Sequence, residues 1–128
     1  MVSREVEELI ADAPLSAHLA TADENRPHVA PVWYGYRDGV LSVLTGDKKL
    51  ANIRSNPRVA VSIEKQGEHG PEWSVTLLGT ATVIEDAERA RTARERVFGK
   101  YREFDPETED ERGTLVEIEV ASATSGRY

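Results

Sequence analysis

Hydrophobic residues at the start of the chain recur at helical spacing, and those that follow suit strands. The predicted apolar face of the first helix consists of Val2, Val6, Leu9 and Ile10. Ser3 is a suitable N-cap, and Pro14 disfavours helix at the residue before it. Residues 18–23 alternate in polarity, residues 28–36 are rich in β-branched and aromatic side chains, and a polar turn separates them. The pattern predicts one short helix followed by two strands.

The middle of the chain carries a hairpin signal and a helical one. Asp38-Gly39 joins the second strand to a third at residues 40–45, as two-residue hairpin turns do. Residues 48–55 place their apolar side chains near one face, which predicts one or two helical turns ending at Asn56-Pro57. Residues 59–64 alternate again and predict a strand.

The second half of the chain changes period twice. Its predicted elements are a polar loop at 65–72, a long strand at 73–86, a helix at 87–103, a solvated loop at 104–113 and a strand at 114–123. Gly79 lies inside the long strand and predicts a bulge that would let the sheet curl. About six strands and two or three helices, mostly joined by hairpins, predict a mainly β protein of the α+β class, a small antiparallel barrel with appended helices.

Composition narrows the class of protein. The 128 residues fit a single domain spanning 1–128, and 16 basic against 23 acidic side chains give a net charge of −7. That balance argues against a nucleic-acid surface. The sequence has no cysteine, no apolar run approaching the roughly 20 residues of a membrane span, and no signal peptide at its start. We therefore expect a cytoplasmic protein without nucleic-acid or membrane partners.

Two adjacent lysines stand out in the segment "TGDKKLANIRSNPRVAV", residues 45–61. They lie where a predicted strand ends and a helix begins, and a helix N-terminus presents unpaired N–H groups that attract anions. Lys48 and Lys49 add two charges and Thr45 adds a hydroxyl, which is a donor set suited to a phosphate. The carboxylate of Asp47 competes for the same donors. The alternative is a pair of solvated surface lysines.

The ordered set "HLATADENRPHVAPVWY", a hairpin and "VLSVLTGDKKLANIRSNPRVAVSI" resembles the pyridoxamine 5′-phosphate oxidase-like split-barrel flavoproteins, most clearly over residues 15–85. The resemblance implies a split antiparallel β-barrel and a homodimer with FMN at the subunit interface. It implies that Lys48, Lys49 and Thr45 contact the flavin phosphate, with Asn52 nearby. It further implies that the strand Val32, Trp33 and Tyr34 lies along the isoalloxazine ring, and that Ser74 approaches the flavin from the second subunit.

The resemblance implies a flavin-dependent oxidoreductase acting on a small-molecule substrate, because a flavin carries the redox chemistry and needs only binding and orientation from the protein. The alternative cofactor is the deazaflavin F420. Its long acidic tail would require a row of basic side chains, for which Arg54 and Arg58 are candidates. A non-catalytic flavin or haem carrier is a further alternative. Pyridoxamine-phosphate oxidation is disfavoured. The family binds the substrate phosphate with basic residues in its C-terminal segment, and Arg127 is the one candidate for that role in this sequence.

The remaining aromatic and imidazole side chains are interpreted as mainly structural. His18, His28 and His69 lack any spacing typical of metal ligands, so no metal site is predicted, although His28 lies beside the predicted flavin strand and could face substrate. Trp33 and Trp73 either line a pocket or pack in the barrel. The aromatic and basic residues of 97–104 have helical spacing, which favours a core-facing stripe over a nucleic-acid platform.

Overall fold

A computed structural model of the chain describes residues 2–101 and 113–128 and gives three helices and seven strands. The helices are α1 (Arg4–Ile10), α2 (Asp47–Ser55) and α3 (Ala87–Phe98). The strands are β1 (Ala17–Asp23), β2 (Arg26–Val32), β3 (Tyr34–Arg37), β4 (Val40–Thr45), β5 (Arg58–Gly67), β6 (Gly70–Ile84) and β7 (Thr114–Arg127). Within the described part, no helix is both long and apolar enough to cross a bilayer.

The seven strands form one antiparallel sheet in the order β2-β1-β5-β6-β7-β4-β3. Its two edge strands, β2 and β3, are consecutive in the chain and only Trp33 lies between them. The sheet therefore curls until its two edges meet, and β2 also contacts β4. We call this junction, Val32–Tyr34, the seam. The sheet does not close there, so the predicted split antiparallel barrel is confirmed.

A bulge interrupts the longest strand pair of the sheet, β6 with β7. The pairing of β6 with β7 shifts register between Leu78 and Gly79. A Cβ atom at Gly79 would lie 2.5 Å from the backbone oxygen of Glu119, so no larger residue fits without movement. The bulge predicted at this glycine is confirmed, and its physical reason is the close approach of two backbones.

The core lies inside the curled sheet, and α1 and the end of α3 cover it. Tyr34 is fully buried, and its hydroxyl donates to the backbone oxygens of Ile10, at 2.7 Å, and Ala13. Burial raises the pKa of this phenol, so it stays a donor. The largest fully buried side chains besides Tyr34 are Ile10, Leu19, Leu41, Ile63, Leu77, Leu115 and Ile118.

Several predicted boundaries change. There are seven strands rather than about six, because the segment 28–36 divides at Trp33, where the chain passes from one sheet edge to the other. The predicted loop at 65–72 is wrong: β5 and β6 extend through it and turn only at residues 68–69. The helix predicted over 87–103 ends at Phe98. Residues 102–103 and most of the predicted loop at 104–113 lie outside the described residues.

Candidate functional site

The N-terminus of α2 is open. Gly46 occupies the N-cap in an extended conformation, and no side chain that the structure describes caps the helix. The first N–H groups of α2 therefore lack intrahelical partners and point to where an anion would lie. Thr45, the last residue of β4, is buried, and its hydroxyl has no hydrogen-bond partner among the described residues. This orphaned hydroxyl is an unmet polar group beside the helix N-terminus.

The two predicted lysines lie in the first turn of α2. Lys48 is exposed and Lys49 is half-buried, and neither forms an ion pair with a described residue. Arg54 in the last turn differs, because its guanidinium lies 3.6 Å from the carboxylate of Glu85. The structure thus brings Thr45, Lys48 and Lys49 together at one end of α2, as the sequence predicts. No described side chain there neutralises the charge of the two lysines.

Asn52 holds α2 on the sheet. It is buried, and its amide nitrogen donates to the hydroxyl oxygen of Thr21 in β1 at 3.0 Å. This bond fixes the helix one turn after the lysines. Its amide is therefore engaged with the sheet, and we infer that Asn52 orients the anion site.

The predicted ring-binding strand is the seam. Val32 and Tyr34 point into the core, whereas Trp33 points outward with 37% of its surface exposed. The backbone N–H of Tyr34 donates to the hydroxyl of Tyr101 at 3.2 Å. Continuing the pairing of β3 with β4, in which Tyr34 lies opposite Val43, would place Val32 opposite Thr45. The seam and the anion site are therefore neighbours.

Residues after the end of α3 contact the seam, and sequence reasoning missed their part in the site. The ring of Tyr101 stacks on Trp33 with centroids 4.3 Å apart and planes 6° apart, and Phe98 meets Trp33 edge-on at 5.7 Å. The ammonium of Lys100 lies 3.3 Å from the ring centroid of Tyr34. The apolar stripe of the predicted helix included Phe98 and Tyr101, but nothing in it indicated which strand they would meet.

Ser74 lies far from the other predicted site residues. It is opposite Gly126 near the end of β7, whereas Thr45 is opposite Thr114 at the start of that strand. Strand rise puts these positions about 40 Å apart along β7. The hydroxyl of Ser74 lies 3.0 Å from that of Tyr128. A single chain therefore does not bring Ser74 to the anion site.

The other candidate residues are dispersed. His18 and His69 are exposed, and His28 is half-buried with an Nδ1 atom that has no hydrogen-bond partner among the described residues. Arg58 lies beyond the C-terminal end of α2, away from the lysines, and Arg127 pairs with Glu5 at 3.0 Å. Within residues 2–101 and 113–128, no three carboxylate or imidazole side chains cluster as metal ligands do.

The arrangement can bind and orient a molecule with a phosphate at one end and a planar ring at the other. The helix N-terminus and two lysines suit the phosphate, and the exposed indole and free edges of β2 and β3 suit the ring. The geometry defines a split-barrel protein with a candidate site for a planar phosphorylated ligand.

The sequence profile of the family described as pyridoxamine 5′-phosphate oxidase matches residues 3–127, and the chain belongs to this family. The predicted family resemblance is thereby confirmed. No curated protein gives a significant match.

Solved structures show the same fold. A conserved hypothetical protein from Mycobacterium tuberculosis superposes with a TM-score of 0.81 at 22% identity, over 99% of this chain and 85% of that one. A FAD-binding protein from Mesorhizobium loti gives 0.74 at 22% identity, over 97% and 94% of the two chains. An F420 reductase gives 0.71 at 22% identity, over 96% and 98%.

Proposed function

We propose that this protein is an FMN-dependent oxidoreductase that acts on a small-molecule substrate. The observation that carries the proposal is the open N-terminus of α2, where the unpartnered hydroxyl of Thr45 lies beside Lys48 and Lys49. These groups would hold the phosphate of FMN, and two ammonium groups match its negative charge. A relative in the family fold is named a FAD-binding protein, which supports a flavin-type cofactor.

The seam would bind the isoalloxazine ring. Because β2 and β3 are edge strands, their outer backbone groups have no partner strand and, apart from the N–H of Tyr34 that Tyr101 accepts, are available to the polar edge of the ring. When bound, the flavin supplies hydride or electron transfer. The chain binds the phosphate, orients the ring and limits the approach of water.

We further propose that the protein works as a homodimer with the cofactor at the interface. The outer face of the sheet carries an apolar row of in-register residues, Val29, Ala20, Ala60 and Leu78. Val29 is 64% and Leu78 is 52% exposed, which suits contact with a second copy. The predicted approach of Ser74 to the flavin would likewise require a second copy, because Ser74 lies far from the anion site within one chain. Cytoplasmic location stays a prediction of the sequence.

Titration of the apoprotein with FMN tests the phosphate assignment. Because charge-assisted hydrogen bonds are worth about 1.5–3 kcal/mol, we expect Lys49→Ala to weaken FMN binding roughly 10- to 100-fold. Lys65→Ala is the control, since that exposed lysine lies on β5 and pairs with Glu72. Unchanged affinity in the Lys49 variant would reject the assignment.

Reduction of the bound flavin by a nicotinamide cofactor tests the enzyme itself. Flavin that binds but is neither reduced nor reoxidised by any small molecule would support a non-catalytic carrier instead. A Soret band in place of flavin bands would support a haem protein and direct attention to His28.

F420 is the second candidate cofactor, and a relative named F420 reductase favours it. Its acidic tail would need cations beyond the phosphate site. Arg54 is paired with Glu85, and Arg58 lies at the opposite end of α2, so this chain offers no continuous basic path among these residues. This arrangement favours FMN. Tighter binding of F420 than of FMN in the same titration would reverse the preference.

The oligomeric state tests the homodimer. Leu78→Lys places a charge in the apolar row and should convert a dimer to monomers in size-exclusion chromatography with light scattering. Ala87→Lys, at the exposed start of α3, should leave the mass unchanged. A wild-type protein that is monomeric with FMN bound would contradict the proposal.

A further inference from the structure

We infer that the outward face of the Trp33 indole is the surface on which the flavin ring stacks, and that Tyr101 is the residue that positions this indole. The inference rests on the proposed function and deepens it. It assigns a side chain, rather than only a backbone, to ring binding at the seam, and it gives the end of α3 a part in the site.

Trp33 occupies a position that no other described aromatic residue shares. It lies between the two edge strands, and one more step in the pairing of β3 with β4 would place it opposite Leu44, two residues before the N-cap Gly46. Trp33 is therefore close along the sheet to the proposed phosphate site, and its indole lies on the outer side of the sheet. A ligand whose phosphate lies on α2 would bring its ring within reach of this indole.

Tyr101 covers one face of the Trp33 indole, and the side chain is still partly exposed. Tyr101 lies parallel to it at a centroid distance of 4.3 Å, and Phe98 meets it edge-on. Trp33 nevertheless keeps 37% of its surface exposed. Tyr34 and Trp73 are buried, and the ammonium of Lys100 covers one face of the Tyr34 ring. Trp33 is thus the aromatic side chain of the seam that can accept a second ring.

Tyr101 is itself held in place. Its hydroxyl donates to the backbone oxygen of Leu15 at 2.7 Å and accepts the N–H of Tyr34 at 3.2 Å. Burial raises the pKa of this phenol, so it keeps its proton and its donor role. These two hydrogen bonds fix the ring of Tyr101, so the indole stacked on it is held in one orientation. Such a pre-ordered indole binds a flat ring without losing further side-chain freedom.

The emission of bound FMN tests the stacking. An indole in van der Waals contact quenches flavin fluorescence by electron transfer, whereas phenylalanine does not. We expect FMN bound to the wild type to be almost dark and FMN bound to Trp33→Phe to recover strong emission. Trp33→Leu should also weaken binding about 3- to 10-fold, the range expected for loss of an aromatic stack. Trp73→Phe is the matched control and should leave bound FMN dark.

Variants of Tyr101 test the positioning role. Tyr101→Leu removes the ring beneath the indole, so bound FMN should gain emission although Trp33 is intact. Tyr101→Phe keeps the stacked ring but loses both hydrogen bonds of the hydroxyl, so the emission of bound FMN should lie between those of the wild type and Tyr101→Leu. Equal, low emission in Tyr101→Leu and wild type overturns the positioning role.

The outcomes separate this inference from the proposed function. If FMN binds and Lys49→Ala weakens it, but Trp33→Phe leaves bound FMN dark, the stacking is wrong and the proposed function stands. If Trp33→Phe recovers emission while Lys49→Ala binds FMN normally, the stacking stands and the phosphate assignment is wrong. If neither FMN binding nor a change at Trp33 is detected, both are wrong.

Discussion

Lys100 places an ammonium group in the protein interior, and replacing it should stabilise the fold. Its nitrogen is buried, has no hydrogen-bond partner among the described residues, and lies over the rings of Tyr34 and Tyr101. Burial lowers the pKa of Lys100 to about 8, although the negative charge of Asp12 opposes the shift. We therefore predict that Lys100→Met raises the free energy of unfolding at neutral pH.

The magnitude follows from the pKa. A fall from 10.5 to about 8 corresponds to about 3 kcal/mol of unfavourable free energy for the charged form. Because Lys100 is partly exposed, solvent screening reduces this figure. The cation–π contact with Tyr34 stabilises the wild type by about 0.5–2 kcal/mol, and the variant loses that contact. The expected net gain for Lys100→Met at pH 7 is about 1 kcal/mol.

The pH dependence gives the sharper test. The folded pKa lies below the unfolded value, so between pH 8 and 10.5 the unfolded chain binds more protons and wild-type stability rises with pH. The advantage of Lys100→Met should therefore be complete below pH 8 and shrink above it. Urea denaturation at pH 6.5 to 9.5 measures this change. Lys65→Met, which replaces an exposed lysine on β5, is the control variant. A gap between Lys100→Met and wild type that stays constant to pH 9.5 would refute the reasoning.

Two further variants probe the sheet and the orientation of α2. Gly79→Ala should destabilise the protein by about 1–3 kcal/mol in urea denaturation, because the new Cβ meets the backbone oxygen of Glu119 at 2.5 Å; Gly126→Ala, whose Cβ would have only ordinary contacts, should change stability much less. Asn52→Ala leaves the buried hydroxyl of Thr21 without its donor and should cost about 1–3 kcal/mol. Adding Thr21→Val should recover part of that loss, and a double variant as unstable as the sum of both would contradict the bond's importance.

Most of the fold could be predicted from local patterns. Alternation located the strands, and Asp38-Gly39 forms the expected turn, with both residues at positive φ. Gly79 identified the bulge because a glycine in a strand interior is conspicuous. The extension of β5 and β6 into residues 65–72 was missed because these residues are polar on both faces, so that burial gives no signal.

The part of the candidate site made by residues adjacent in sequence was predictable, and the part made by residues that only the fold brings together was not. Thr45, Lys48 and Lys49 lie within five consecutive positions at a strand-to-helix junction, so sequence alone brings them together. Trp33 and Tyr101 meet only because the sheet curls and α3 returns across it. A periodic stripe predicts that Tyr101 is buried, but no pattern in the sequence states which side chain lies against it.

The alternation at the seam also limits what each predicted ring-binding residue can do. Successive side chains of an extended segment point to opposite sides, so a chain that buries Val32 and Tyr34 must expose Trp33. Val32 and Tyr34 can therefore offer a ligand only their backbone, and the N–H of Tyr34 is already bonded to Tyr101. Of the three ring-binding residues predicted from the family resemblance, Trp33 alone could bring a side chain to a ring. The end of α3, which contacts the indole, therefore belongs to the candidate site as much as the lysines do.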